Sequence, residues 1–339
     1  MLIIASVGLH DTEEKTRKVL LTGADILRFN FSRRTPEENI NFIKVAIETI
    51  ESLNTGVKIM VDMPLNKIRL GDFNIKNFAV REKEDFICKS ASFTLDCNEF
   101  IPINTSKLGE KVKLNQIVTI GDGEIAVQVI KILDSDTIKI KILNNGIIQY
   151  MTTFNLPPNG DVVKLINKYK EIFEKTLEIK PNYFAISYLN KETNEKIKKM
   201  DELQKHLNRA RMLIKIENKN AIDNLEQIFQ DPFYDMVLLD RGELGVNIPF
   251  EKLAIVQKYA TRLSKKYNKP LIVSSQILES TTNNFIPCRA EILSLSEMVM
   301  DGVAGIMFCR ETGYNTRPAY SISVAKKIIE EAQKYLKSK

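Results

Sequence analysis

Apolar residues in this chain follow two rhythms. The first is the short continuous run: Leu2–Val7, Ile26–Phe31, Lys58–Asp62, Tyr183–Tyr188, Met212–Glu217, Met236–Asp240, Pro270–Ser275 and Ala304–Phe308. Runs that do not alternate are expected of parallel strands covered on both faces. The second is a spacing of three and four between the runs. Val162, Val163, Ile166, Tyr169, Ile172, Phe173 and Leu177 carry it and predict an amphipathic helix. Asp11-Thr12-Glu13-Glu14 reads as a helix start. A last helix is expected from about Thr316 to Tyr335, with Val324, Ile328, Ile329 and Tyr335 on one face. Eight strand-then-helix units predict an α/β fold, a (β/α)8 barrel.

Between the third and fourth runs the rhythm changes. From about Phe73 to Thr153 the segments are short, alternating and broken by turns. Ile117–Ile120, Gly121-Asp122-Gly123 and Glu124–Ile132 read as a hairpin, and Asn144-Asn145-Gly146 as a second hairpin turn. The expected domains are a barrel over residues 1–72 and 157–339 and an inserted all-β domain over 73–156. An insertion after the third strand lies at the C-terminal rim, where a lid is useful.

Composition narrows the class. The 339 residues are 44% hydrophobic and 27% charged, which excludes wholesale disorder. No run of 18 apolar residues is present, so no membrane helix is expected, and Met1–Ser6 lacks the basic start of a signal peptide. The 49 basic and 43 acidic residues leave a net charge of +6, but the two signs interleave, as in KYKEIFEK. Solvated helix faces rather than a nucleic-acid stripe are expected, with a mild preference for small anionic ligands. Cys88, Cys97, Cys288 and Cys309 form no CxxC, and only His10 and His206 could join them on a soft metal. Reduced cysteines in a cytoplasmic protein are the expectation.

Chemistry in a barrel sits at the C-terminal ends of the strands. Polar residues there are Arg28 and Asn30 with Ser32 beyond, Asp62, Lys215 and Glu217, Arg241-Gly242-Glu243, and Ser274-Ser275-Gln276. Residues two apart share a face, so Arg28 joins Asn30 and Lys215 joins Glu217. Charges inside apolar strands are costly unless paired or bound to a ligand. Taken alone, Lys215 and Glu217 read equally well as an ion pair. Glu243, Asp62 and Arg28 on neighbouring strands favour a site. Two carboxylates suit a hard cation such as Mg²⁺, and an arginine and a lysine suit phosphate or carboxylate. Together they point to a phosphorylated small molecule.

At these residues the chain resembles the pyruvate kinase family. ILRFNFS, MLIKIEN, LLDRGELGVNIP, KPLIVSSQILES, PCRAE and CRET follow the order of that family's motifs, and GDGEIAVQV resembles its β-rich lid. The resemblance implies transfer of a phosphoryl group from phosphoenolpyruvate to ADP, giving pyruvate and ATP. It assigns neutralisation of that group to Lys215, phosphate binding to Arg28, and Mg²⁺ (or Mn²⁺) to Glu217 and Glu243. Ser275 would stand near the carbon that gains a proton, and the amides of Gly242 and Glu243 would hold the substrate carboxylate. Arg69 would face the nucleotide, beside Asn30 and Arg33. A homodimer through the barrel is also implied.

The departures from the family pattern are specific. Glu243 stands for an aspartate and Ser275 for a threonine. Met63, Pro64 and Lys67 replace a threonine, a lysine and a glutamate, a pattern that resembles the family's potassium-independent branch. Lys67 would then stand in for the monovalent cation beside Asn30, Ser32 and Asp62, and K⁺ would not be required. Arg33-Arg34 replace a histidine–glycine pair, Thr152 a nucleotide-contacting lysine, and Ser294 and Glu297 an aspartate and an asparagine. The family's C-terminal domain, which usually carries an effector site, has no counterpart in this sequence, so distal regulation is not expected. The substrate end is better kept than the nucleotide end. That leaves two alternatives open, a lyase or aldolase acting on a pyruvate enolate and a non-catalytic paralogue with a binding role.

Overall fold

Each continuous apolar run folds into a strand with both faces covered. The structure is a computed structural model, and it describes residues 1–338 apart from 9–10, 33, 66, 76, 150–151 and 157–161. Eight parallel strands close a barrel: β1 Leu2–Ser6, β2 Ile26–Asn30, β3 Lys58–Asp62, β4 Tyr183–Ser187, β5 Arg211–Ile216, β6 Met236–Asp240, β7 Leu271–Ser274 and β8 Gly305–Phe308. They follow one another in sequence order around the barrel, and Ile3 beside Ile306 closes the ring. The expected (β/α)8 architecture is thus present. Strand ends differ from the sequence reading by a residue or so, since the apolar runs spill past the last ladder bond.

One parity organises the barrel. Ile4, Ile26, Met60, Ala185, Leu213, Leu238, Ile272 and Met307 form a cluster of their own, while their neighbours Ile3, Leu27, Val61, Ile186, Ile214, Leu239, Val273 and Phe308 pack in a second, larger one. The first set fills the interior and the second meets the helices. This is the layered packing of such barrels, with side chains alternating along each strand.

The helices begin where the sequence signals them. Thr12 caps Glu13–Thr22 through the Lys15 amide. Pro36–Leu53 starts with a reciprocal Thr35–Glu38 capping box and ends at Asn54 in the left-handed region. The helix read from 162 spans Val162–Lys175, and the last helix is Pro318–Lys337.

The chain divides into two compact units, one of Met1–Leu65, Val163–Leu244 and Ile248–Lys339, the other of Asn66–Val162 with Gly245–Asn247. The second unit starts earlier than the rhythm of the sequence implied. Bridges from Arg69 to Thr153 and from Leu70 to Ile103 tie residues 69–70 into it. Its six-stranded sheet runs Phe154–Asn155, Ile117–Ile120, Ile125–Ile132, Thr137–Ile142, Asp85–Ser90, Ile101–Ile103. Val118, Val127, Val129, Ile138, Ile140 and Phe154 are among its separate core.

The first expected hairpin pairs Ile120 with Ile125 across Gly121 and Gly123, both at positive φ. The second expectation is corrected. Gly146–Gln149 does not fold back on Thr137–Ile142 but pairs with Asn77–Val80. Asn144 spends its side chain on the Ala126 amide and the Glu124 carbonyl, so the chain turns away there instead of closing a hairpin.

Candidate active site

Extending the interior parity by one step at the C-terminal end of each strand yields a ring of polar residues. Ile4 leads to Ser6, Ile26 to Arg28 and Asn30, Met60 to Asp62, and Ala185 to Ser187. Leu213 leads to Lys215 and Glu217, Leu238 to Asp240, and Met307 to Cys309. A strand period of two therefore builds the mouth of the barrel from the same face that fills its core.

The tightest part of this ring is a buried charge cluster. Asp62 is 2% exposed, Lys215 5% and Glu217 4%. Lys215 Nζ lies 2.9 Å from Asp62 Oδ1 and 3.2 Å from Glu217 Oε1. Arg28 donates to Asp62 Oδ2 through Nε at 2.9 Å and through Nη2, and to Ser6 Oγ through Nη1 at 2.8 Å. Burial pushes the Asp62 carboxyl up, yet Lys215 and Arg28 outweigh it and hold the group below its usual range. Burial likewise opposes the charge on Lys215, and Asp62 with Glu217 more than restores it. Arg28 is kept charged against burial by Asp62 in the same way. Two permanent cations thus face one permanent anion, with Glu217 alongside. Beside them the Cys309 thiol is pushed up to about 12 by burial, so it stays neutral.

The second part lies one and two strands on. Asp240 ends β6 and caps the short helix Arg241–Asn247. Its Oδ1 accepts from Ser275 Oγ at 2.8 Å, from the Gly242 amide at 3.2 Å and from the Glu243 amide at 3.4 Å. Ser275 follows β7, and both it and Gln276 lie at positive φ, 70° and 51°. Arg241 holds that bend. Its guanidinium donates to the Ser275 carbonyl at 2.7 and 3.1 Å, to Gln276 O at 3.0 Å and to Ser294 Oγ at 3.2 Å. Gly242 packs closely under this bend: a Cβ there would meet Ser275 Oγ at 3.0 Å, and the hydroxyl would have to give by a few tenths of an ångström. Behind the bend, buried Glu311 accepts from the Ile277 and Leu278 amides.

Arg28, Asp62, Lys215 and Glu217 are therefore brought together, and Ser275, Gly242 and Glu243 gather around Asp240. Asn30 accepts from the Ser32 amide at 2.9 Å at the end of β2. Lys67 and Arg69 belong to the second unit, as does Thr152. Arg33 lies outside the described residues. Sequence reasoning missed Asp240 as a site residue, though two signals were present: it is two residues past interior Leu238, and an aspartate before Arg-Gly-Glu is a helix cap.

The donor set at the mouth suits a hard divalent cation. Glu217 directly follows β5, and Glu243 sits half-buried in the first turn after β6. No group of three or more acidic, histidine or cysteine side chains is arranged for a metal among the described residues. Mg²⁺ is commonly held by one or two carboxylates, with substrate and water oxygens completing its shell, and Glu217 and Glu243 are the carboxylates here whose chemistry could supply them.

Comparison with known proteins agrees with this fold. A family model described as pyruvate kinase, barrel domain, matches residues 1–322. The pyruvate kinase of Thermotoga maritima is 30% identical over 336 residues, covering 98% of this chain and 71% of the relative. That of Thermococcus litoralis is 27% identical over 338 residues, covering 99% and 70%. The crystal structure of Cryptosporidium parvum pyruvate kinase superposes with a TM-score of 0.86 at 24% identity, over 98% of this chain and 70% of that one, a likeness of fold.

Proposed function

The chain belongs to the pyruvate kinase family, and from that premise we propose that it is a working phosphotransferase that takes the phosphoryl group of phosphoenolpyruvate to ADP. The observation that carries this reading is the buried Arg28–Asp62–Lys215–Glu217 cluster at the barrel mouth. Phosphoryl transfer asks little covalent chemistry of a protein and much positioning and charge neutralisation.

Each residue has a part in that reading. Lys215 stays protonated beside Asp62 and offers its charge to the phosphoryl oxygens as they leave the enol. Arg28, fixed in direction by Asp62 and Ser6, binds the phosphate as a fork. Glu217 and Glu243 would hold Mg²⁺, which supplies charge neutralisation to the anionic substrate oxygens. Ser275, on a bend clamped by Arg241, would stand near the carbon that takes up a proton when the enolate becomes pyruvate. The Gly242 and Glu243 amides receive the substrate carboxylate. By resemblance, Lys67 takes the place of a monovalent cation and Arg69 serves the nucleotide.

A lactate dehydrogenase-coupled assay with purified protein, phosphoenolpyruvate, ADP and Mg²⁺ in K⁺-free buffer tests the reading. Pyruvate formation without K⁺ is the expected result. Absence of pyruvate, with or without K⁺, rejects phosphoryl transfer to ADP. Turnover only with K⁺ rejects the role of Lys67 alone.

A further inference from the structure

Ser275 and Gln276 are consecutive residues in the left-handed region, at φ 70° and 51°. Neither is glycine, so each carries a steric cost and persists only where its surroundings impose it. Two side chains of opposite charge do so. Arg241 takes the carbonyls of Ser275 and Gln276. Glu311 takes the next two amides on Oε1, Ile277 at 2.9 Å and Leu278 at 3.2 Å. Its Oε2 accepts from the Cys309 amide at 2.8 Å, where the short helix Arg310–Gly313 begins. Capping that helix accounts for Oε2 alone, and Oε1 is spent on the loop of another strand. Glu311 is 0% exposed, and burying a carboxylate is costly unless its bonds are needed. The neighbouring Thr312 donates to the Ser6 carbonyl at 2.9 Å. Glu311 therefore reaches the bend from an element tied separately to β1.

We propose that Glu311 is a positioning residue for the reaction, acting through Ser275 by holding the bend after β7 in its left-handed form. This rests on the reading that Ser275 stands near the carbon that gains a proton. Without the carboxylate, the Ile277 and Leu278 amides lose their acceptor, and the bend relaxes toward the ordinary regions of backbone space. The Ser275 side chain then swings with its backbone, away from Asp240 Oδ1, which holds its hydroxyl at 2.8 Å. A displacement of about 1 Å at a reacting group can cost about 10²-fold in rate. Arg28 and Lys215 lie on β2 and β5 and are held in place by Asp62. The loss therefore falls on proton uptake and spares the grip on the phosphate.

The test uses the full chain and two readouts. The coupled assay gives kcat and the KM for phosphoenolpyruvate. Proton NMR in D₂O, with pyruvate, ATP and Mg²⁺, follows exchange of the pyruvate methyl protons and so reports proton transfer at that carbon alone. Glu311→Leu removes both acceptor oxygens at similar volume. It should lower kcat and the exchange rate together by about 10- to 10²-fold, with the KM for phosphoenolpyruvate nearly unchanged. Glu311→Gln keeps one oxygen for the two amides and should recover most of both. In a Ser275→Ala background Glu311→Leu should cost no further exchange, because residues that act as a unit are not additive. Additive losses, or a raised KM with kcat and exchange intact, overturn the proposal. Should Glu311→Leu not fold, Glu311→Asp, which keeps the charge but withdraws it from the amides, takes its place in the same comparison. Wild-type protein that exchanges the methyl protons but makes no pyruvate from phosphoenolpyruvate and ADP sinks the phosphotransfer reading, and the exchange comparison still decides on Glu311. Wild-type protein that does neither overturns both.

Discussion

The two ends of the barrel satisfy polar groups in opposite ways. At the base, side chains just ahead of a strand hold the backbone of the strand before it. Asp25, ahead of β2, accepts from the Ile3 amide on β1 at 2.7 Å. Asn182, ahead of β4, accepts from Ile59 on β3 at 2.9 Å, and Asp235, ahead of β6, accepts from Met212 on β5 at 2.8 Å. Each of these three acceptors meets a neutral backbone donor. At the mouth, by contrast, charged side chains meet one another, in Arg28–Asp62–Lys215–Glu217. Pairing of this kind is poor economy for stability alone, since desolvation consumes much of the Coulombic gain. The base holds the register of the barrel, and the mouth stores charge that a phosphorylated substrate can use.

Breaking the mouth should have the largest effect. Lys215→Met is expected to lower turnover by roughly 10²–10³-fold or more, read by the coupled assay, while far-ultraviolet circular dichroism retains the barrel signal. Wild-type rates in that variant would remove Lys215 from the site.

Asp62→Asn should come next, in stability as well as rate. It leaves two buried cations short of their shared anion, a loss of about 3–5 kcal/mol, measured by urea unfolding. The same residue sets a pH dependence. The Asp62 carboxyl is held below its usual range in the folded protein. Its contribution is therefore present above the unfolded carboxyl value of about 3.9 and is lost as pH falls through the folded value. Acid titration of stability should flatten in that window for Asp62→Asn.

The base should answer differently. Asp235→Ala strips one acceptor from the Met212 amide and is expected to cost about 1 kcal/mol in unfolding free energy. Turnover should remain at wild-type level. Loss of activity with little loss of stability in Asp235→Ala would erase the distinction between the two ends.

Much of this was readable in the sequence because barrel strands announce themselves. Short continuous apolar runs alternating with amphipathic stretches fit a strand-then-helix repeat, so all eight strands could be read, and charges within such runs mark the mouth at Arg28, Asp62, Lys215 and Glu217. Asp240 was harder. It closes a run as an ordinary strand end, and its significance depends on Ser275 reaching back from a bend built by two left-handed residues and held by Arg241. No local pattern encodes that meeting. The Asn144-Asn145-Gly146 turn was misread for a related reason, since the strand after it pairs with Asn77–Val80, far back in the chain.

One seam of the barrel carries a cost in time. Apart from β1 and β8, which close the ring, neighbouring strands are separated by a single crossover, but β3 and β4 are divided by the whole inserted unit, and the Asn182 bond to Ile59 spans 123 residues. During synthesis the first three strands emerge well before their next partner exists. They wait with an open edge while the insertion, which has its own core, can collapse locally. Until Tyr183–Ser187 is made, the β3 edge is one of the two open edges of the nascent sheet, the other being that of β1, and open edges are where a nascent sheet can pair wrongly.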